Sequence, residues 1–91
     1  MDITKAHRQF LEYLEIERGR SLKTIENYDR YLKRFFDFAK ITSAPEVTDE
    51  LVRKYRLWLN RQKTLAGEEL KRKTQNYYLI ALRVFLKYLA T

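Results

Sequence analysis

Two short phrases of the chain repeat the same polar residues and could bind phosphate. Each phrase has Lys-Thr followed by Asn-Tyr: Lys23, Thr24, Asn27 and Tyr28 in the first, and Lys73, Thr74, Asn76 and Tyr77 in the second. Both phrases fall where a helix is expected to begin, and helix starts have unpaired N–H groups at the positive end of the helix dipole. Such ends attract phosphate. With a lysine charge and short hydrogen-bonding side chains, two such starts would suit binding to a nucleic-acid duplex.

The chain offers little for catalysis or metal binding. It has no Cys and one histidine, His7, which cannot assemble a zinc site alone and is expected to be a packing or surface residue. Of the tyrosines, Tyr28 and Tyr55 fall on apolar faces and Tyr13 and Tyr78 lie beside them, so core packing explains them better than nucleophilic chemistry. A nucleophile would also need acid, base and oxyanion-stabilising partners. We expect no catalytic residue, no metal and no cofactor.

Length and charge restrict the class of protein. The chain has 91 residues, 45% of them hydrophobic, which is enough for one domain with one modest core. Its net charge is +7, yet residues 1–19 carry −1, so the positive excess lies further along the chain. This balance fits nucleic acid, an anionic membrane or an acidic protein as partner. The sequence has no recognisable signal peptide or transmembrane helix, so a cytoplasmic, nucleoid-associated location is expected.

Apolar periodicity predicts an all-α protein. Only two Gly and one Pro interrupt the sequence, and apolar residues recur three and four apart. The pattern predicts helices at about 3–17, 22–40, 49–63 and 71–90, with a connector at 41–47 and a loop at 64–69. Asp2, Ser21 and Thr48 are the expected N-caps, and Gly19 is the expected stop of the first helix. The fourth helix is apolar almost all round in its second half, so we expect it to be central.

A basic row is expected on the outer side of the second helix. On a helical wheel Lys23, Asn27, Arg30 and Arg34 form one line opposite the apolar stripe. Neighbouring cations repel one another, and a phosphate backbone would relieve that repulsion. The alternative is an ordinary solvated face whose nearby acidic residues balance the charge.

The fourth helix begins with charges of the wrong sign. Lys71, Arg72 and Lys73 precede Asn76 and Tyr77, and cations at a helix N-terminus oppose the dipole. A local conflict of this kind is typical of functional sites, and a bound polyanion would resolve it. The alternative is a frayed helix end with hydrated charges.

The order of these elements resembles a known family. The residues concerned are Ser21-Leu22-Lys23-Thr24, Tyr28, Leu32 and Phe35-Phe36, then Thr74-Gln75-Asn76, Leu79, Ala81-Leu82-Arg83, Phe85 and Tyr88-Leu89. Together they resemble the N-terminal core-binding domain of tyrosine recombinases and phage integrases. The resemblance implies a compact four- to five-helix, SAM-like orthogonal bundle that spans residues 1–91 and forms one jaw of a clamp on the recombination-site duplex.

The resemblance also implies partners and contact residues. The expected contacts with double-stranded DNA are Lys23, Thr24, Asn27, Arg30, Lys73, Thr74, Asn76 and Tyr77, with Arg83 as a further candidate. Arg34, Lys71 and Arg72 join them from the charge pattern. The first helix would touch other recombinase protomers. The catalytic domain of the parent chain would follow Thr91, so this chain is expected to be a fragment that cannot cleave or join DNA.

Two other functions compete with DNA binding. A helical protein-interaction module could pair through Ile80, Val84 or the first helix without binding DNA. A basic amphipathic domain on a membrane surface is less suitable, because the aromatic residues are needed for the core.

Overall fold

The computed structural model describes residues 2–62 and 70–90, which form four α-helices. The helices are α1 (Ile3–Ile16), α2 (Leu22–Ala39), α3 (Asp49–Asn60) and α4 (Arg72–Ala90), and a 3-10 turn, Ala44–Glu46, lies between α2 and α3. The described residues include no strand. The prediction of an all-α bundle is therefore confirmed, while the predicted loop at 64–69 lies outside the described residues.

Three helices begin at the expected capping residues. Each capping side chain accepts one backbone N–H of the first turn. The distances are 2.7 Å for Asp2, 3.2 Å for Ser21 and 3.1 Å for Thr48. Each of these bonds satisfies a donor that the first turn of a helix leaves without an intrahelical partner. The starts of α1, α2 and α3 are therefore specified locally, by the residue types at their first turns.

The helix ends depend on backbone geometry. Gly19 after α1 and Lys40 after α2 have positive φ angles of 58° and 52°, the left-handed conformation that reverses a chain after a helix. α3 ends at Asn60, earlier than predicted. The N–H groups of Arg61 and Gln62 bond to carbonyls three residues back, both at 3.1 Å, and this tighter 3-10 geometry stops the α-helix.

The connector between α2 and α3 is held by one carboxylate. Glu46 accepts the N–H groups of Thr42 and Ser43, each at 2.7 Å, and these bonds hold the pKa of its carboxyl below the ordinary value. The carbonyl of Thr42 in turn accepts the N–H of Ile3 at 2.9 Å. The connector is therefore tied to the first turn of α1.

The core is largely aromatic and receives side chains from every helix. Its largest fully buried members are Tyr55, Phe10, Phe35, Phe85, Leu32, Leu59 and Leu82. Phe10 of α1 meets Phe85 of α4 edge-on with ring centroids 5.3 Å apart, and Phe35 of α2 meets Tyr55 of α3 in the same way at 5.0 Å. Edge-to-face rings stabilise a core beyond their buried area. The first pair joins α1 to α4, the second joins α2 to α3, and a third edge-on pair, Phe36 with Phe85 at 5.7 Å, joins α2 to α4.

α2 and α4 position the candidate site because both pack against every other helix. The central place predicted for α4 is thus observed, although one apolar residue of its outer side, Ile80, is 48% exposed. The two helices whose first turns carry the repeated phrase are also those that hold the fold together. Their relative placement is fixed by the core.

Candidate nucleic-acid interface

Three of the four residues in the predicted α2 row lie at the surface. Lys23 and Arg30 are exposed, and Asn27 is half-buried. Arg30 Nη2 donates to the Asn27 amide oxygen at 3.2 Å. Bidentate reading of adenine uses both the oxygen and the nitrogen of an Asn amide. An amide oxygen can accept two hydrogen bonds, so Asn27 can accept from adenine N6 while it still accepts from Arg30.

Arg34 differs from the rest of the row because its guanidinium turns inward. The guanidinium carbon lies 5.4 Å from the ring centroid of Trp58 in α3 and 5.4 Å from that of Tyr78 in α4. Its Nη1 donates a long hydrogen bond of 3.5 Å to the Tyr78 hydroxyl. Arg34 is therefore half-buried, because the two rings attract the cation toward the junction of three helices, and its contact with DNA stays a prediction.

Among the described residues, no side-chain oxygen accepts the N–H groups at the start of α4. The carbonyl of Lys71 accepts the N–H of Gln75 at 3.0 Å, which puts Lys71 at the N-cap position, and a lysine side chain has no acceptor. Lys71, Arg72 and Lys73 are all exposed. Among the described residues none of them has an acidic partner within 4.0 Å. Within the part of the chain that the structure describes, these cations thus lie at the positive end of the helix dipole without a balancing carboxylate.

A first groove brings the two repeated phrases together. This α2–α4 groove is lined by Thr24, Asn27, Tyr28, Tyr31, Tyr77 and Ile80. Thr24 and Asn27 come from the first phrase and Tyr77, which is 44% exposed, comes from the second. The groove therefore has polar residues on α2 and an apolar wall to which both helices contribute, with Tyr28 and Tyr31 from α2 and Tyr77 and Ile80 from α4.

A second groove lies between α3 and α4. This α3–α4 groove has a volume of about 470 Å³ and is lined by Arg53, Arg56, Leu57, Asn60, Arg72, Gln75, Asn76 and Leu79. Arg72 and Asn76 were expected at the site, whereas the α3 residues were not. Arg53, Arg56 and Asn60 recur at three- and four-residue spacing, so a helical wheel of α3 would have shown them on one side.

The remaining candidates lie along α4. Lys73 and Arg83 are exposed and Thr74 is half-buried. Helical geometry puts Arg83 in line with Arg72 and Asn76 on the outer side of the helix. The structure thus places Arg83 in a row that begins at the α4 tip.

His7 is a packing residue, as expected. It is buried in α1, and its ring meets Phe36 edge-on at 5.1 Å. Its Nε2 lies 3.2 Å from Asp29 Oδ1, in an orientation that does not form a hydrogen bond, and Lys33 Nζ is 3.0 Å from the other oxygen of Asp29. Burial lowers the pKa of His7, the Asp29 carboxylate partly raises it, and Lys33 lowers it further. The neutral imidazole is therefore favoured.

Tyr55 is not suited to act as a nucleophile. Its hydroxyl is buried and has no hydrogen-bond partner among the described residues. Burial raises its pKa far above the ordinary value, and the nearby charge of Arg34 offsets this only in part. An activated nucleophile needs a lowered pKa or an adjacent base. Tyr55 therefore serves the core.

Comparison with known families identifies the family to which the chain belongs. Residues 8–91 match the phage integrase N-terminal SAM-like domain. The chain belongs to this family. In this SAM-like domain the match runs from within α1 through α4, and it includes every residue expected to contact DNA. Neither the curated proteins nor the solved structures give a significant match.

The part of the SAM-like domain that the structure describes lacks two kinds of feature. None of its helices there is sufficiently long and apolar to cross a lipid bilayer. Within the same residues, no three His, Asp or Glu side chains are grouped as a metal site would require.

Proposed function

We propose that this SAM-like domain binds double-stranded DNA at the recombination site of a tyrosine recombinase and forms one jaw of a clamp around the duplex. The observation that carries the proposal is the α2–α4 groove, because residues from two distant phrases of the sequence line one surface depression. Both phrases begin a helix, and both contribute exposed lysines, Lys23 and Lys73. A duplex backbone matches this combination of charge and helix starts.

Phosphate contacts supply most of the affinity in this proposal. Lys23, Arg30, Lys71 and Lys73 are exposed cations on the two helices, and each phosphate that a cation neutralises releases counterions from the DNA. A phosphate at the α4 tip also meets free N–H groups and the helix dipole. It would thereby remove the electrostatic conflict at the start of α4.

In this proposal the amide side chains and the wall of the α2–α4 groove contact the bases. Asn27 and Asn76 can each pair with the N6 and N7 atoms of adenine in the major groove. The methyl group of Thr24 and the ring of Tyr77 provide apolar contacts of the kind that thymine methyl groups and sugars accept. Sequence preference is expected to be modest, because cations outnumber base-reading side chains.

The remaining partners belong to the complete recombinase. A C-terminal catalytic domain of the parent chain would supply the opposite jaw and the strand-cleaving chemistry. α1 would face neighbouring protomers on the DNA. The acidic character of residues 1–19 and the exposed Ile16 support this assignment, because both are unsuited to a DNA surface.

Titration with fluorescent duplex DNA at several salt concentrations tests the proposal. With roughly five phosphate contacts, log K should fall with log salt at a slope of about −4 to −5. The double variant Lys23→Ala/Lys73→Ala should lose about two units of that slope for every duplex sequence, since phosphate contacts carry no sequence information.

A matched control separates position from net charge. Lys5→Ala/Arg8→Ala removes two exposed cations from α1 and should leave the slope nearly unchanged. DNA binding that is independent of salt would contradict the proposal, and so would equal losses in the two double variants. Circular dichroism of each variant checks that the helices are intact.

A protein-interaction function is the second candidate. It is favoured by Ile16 and Leu22, which are 75% and 70% exposed around the turn from α1 to α2, and by the exposed Ile80. Self-association that is insensitive to salt in sedimentation experiments, without any response to DNA, would support this function instead. Ile16→Lys should then abolish the association.

A further inference from the structure

We propose that α3 contributes a phosphate-binding element and that the α3–α4 groove holds the sugar–phosphate backbone of the duplex bound by α2 and α4. This inference rests on the proposed DNA binding and adds a third helix to it. It assigns roles to Arg53, Arg56 and Asn60, which the charge pattern of α2 and α4 does not include. Arg56 is the principal residue.

The groove concentrates positive charge from two helices. Arg53 and Arg56 of α3 and Arg72 of α4 all line it, and no carboxylate is among its described lining residues. Guanidinium groups are planar and bind phosphate oxygens in pairs, which lysines cannot do. Arg53 is paired with Glu50, but Arg56 and Arg72 have no acidic partner among the described residues, and an anion between them would balance their charge. A phosphodiester supplies that anion.

The lining also fits the sugar part of a nucleic-acid backbone. Leu57, 46% exposed, and Leu79 give the groove apolar surface between its cations. A free inorganic anion makes no favourable contact with apolar surface, whereas a deoxyribose can pack on it. Arg53, Arg56 and Arg72 are all exposed, so the groove is open to a nucleic-acid strand that extends beyond it in both directions.

Shared residues connect this groove to the proposed DNA site. Arg72 and Asn76 belong both to the predicted α4 contacts and to the lining of the α3–α4 groove. The amide nitrogen of Gln75 donates to the carbonyl of Leu70 at 2.7 Å, so Gln75 holds the entry of α4 in place. A duplex on the α4 tip therefore comes within reach of α3 without rearrangement of the helix.

The two α3 arginines differ in availability. Two of the three guanidinium nitrogens of Arg53, Nη2 and Nε, donate to the carboxylate of Glu50, at 2.7 and 3.2 Å. Arg56 has no acidic partner within 4.0 Å among the described residues. Arg56 can therefore bind phosphate directly, whereas Arg53 must first leave Glu50. The carboxylate of Glu50 is expected to weaken DNA binding.

The test uses duplex titrations on the intact chain. Arg56→Ala should weaken binding about eightfold at 0.1 M salt and make the salt slope shallower by about 0.9, the effect of one phosphate contact. Lys54→Ala removes an exposed cation of the same helix that does not line the groove, and it should change neither value appreciably.

A second test looks for tighter DNA binding, a result that a folding defect cannot produce. Glu50→Gln releases Arg53 and should tighten binding severalfold, while Asp49→Asn, with the same charge change in the same helical turn, should have a smaller effect. If Arg56→Ala and Lys54→Ala changed DNA affinity and salt slope equally while wild-type binding still depended on salt, this inference would be overturned. The proposed function would remain intact. Wild-type binding that does not respond to salt would overturn the proposed function itself.

Discussion

Arg34 shows how one side chain can leave the surface that its helical position predicts. Its long side chain reaches from α2 to Trp58 and Tyr78, and its Nε is buried without a hydrogen-bond partner among the described residues. A guanidinium between aromatic faces stabilises the junction through both packing and charge. We therefore assign Arg34 to the packing of α2 against α3 and α4, while Lys23, Asn27 and Arg30 remain the main proposed DNA contacts of the row.

Substitution of Arg34 should thus affect stability more than DNA binding. Arg34→Ala is expected to lower the free energy of unfolding by about 1 to 2 kcal/mol through lost packing on two rings. Arg34→Lys should recover only part of this, because an ammonium group does not stack. Urea unfolding measures the change.

The neighbouring Arg30 is the matched control. It is exposed, so Arg30→Ala should change the free energy of unfolding by less than about 0.5 kcal/mol while weakening DNA binding. If Arg34→Ala were as stable as Arg30→Ala and weakened DNA binding equally, the assignment of Arg34 to helix packing would be wrong.

At the scale of elements, the four helices differ in how their first turns are satisfied. α1, α2 and α3 have side-chain caps, whereas the N-cap residue of α4 is Lys71, whose side chain cannot accept a hydrogen bond. The uncapped start belongs to the helix that we propose to carry the DNA-binding tip. A cap there would occupy an N–H that could otherwise meet phosphate.

Capping α4 should therefore stabilise the fold and weaken the proposed function. Lys71→Ser supplies an acceptor and removes a cation from the positive end of the dipole, which should raise the free energy of unfolding by about 1 kcal/mol. The same change should make the salt slope of DNA binding shallower by about 1. Thermal unfolding and duplex titration measure the two effects.

The same substitution at the other end of α4 gives the control. Lys87 lies in the last turn, where a cation is favourable, so Lys87→Ser should slightly lower stability and leave DNA binding unchanged. A destabilised Lys71→Ser variant, or one with unchanged DNA affinity, would contradict this account of the α4 tip.

At the scale of the whole molecule, the fold could be predicted from the sequence because its signals are local. Apolar residues at helical spacing defined four helices, and Ser21 and Thr48 marked two of their starts. The early end of α3 was not predictable in this way. It depends on 3-10 bonds at Arg61 and Gln62, which have no distinct residue signature.

The candidate site was only partly predictable because it depends on contacts between helices. Charge and spacing identified the tips of α2 and α4. They could not show that Arg34 meets Trp58, or that Arg56 lies beside α4, since both facts depend on how α3 packs. Periodicity within one helix carries no information on which helix will lie opposite.

The stability of the whole domain should depend on pH through His7. Its pKa in the folded protein lies below the ordinary value of 6.5, so the unfolded chain binds the proton more readily. Stability should therefore be at its plateau above about pH 6.5 and fall as pH decreases below it. Glu46 and Glu50, whose pKa values hydrogen bonds lower, titrate in a more acidic range.

Thermal unfolding between about pH 5 and 7.5 checks this dependence. The unfolding midpoint of the wild type should fall toward pH 5, and His7→Gln, which cannot titrate, should remove most of the decrease. An NMR titration that gives His7 a pKa above 6.5 would contradict the assignment.

The shared role of α4 has a consequence for the protein during its synthesis. α4 forms one wall of both the α2–α4 groove and the α3–α4 groove. A nascent chain that has emerged from the ribosome only as far as residue 70 contains α1, α2 and α3 but neither groove. The proposed DNA-binding surface therefore arises only when the last helix docks, and a growing polypeptide cannot engage the chromosome through it before the domain is complete.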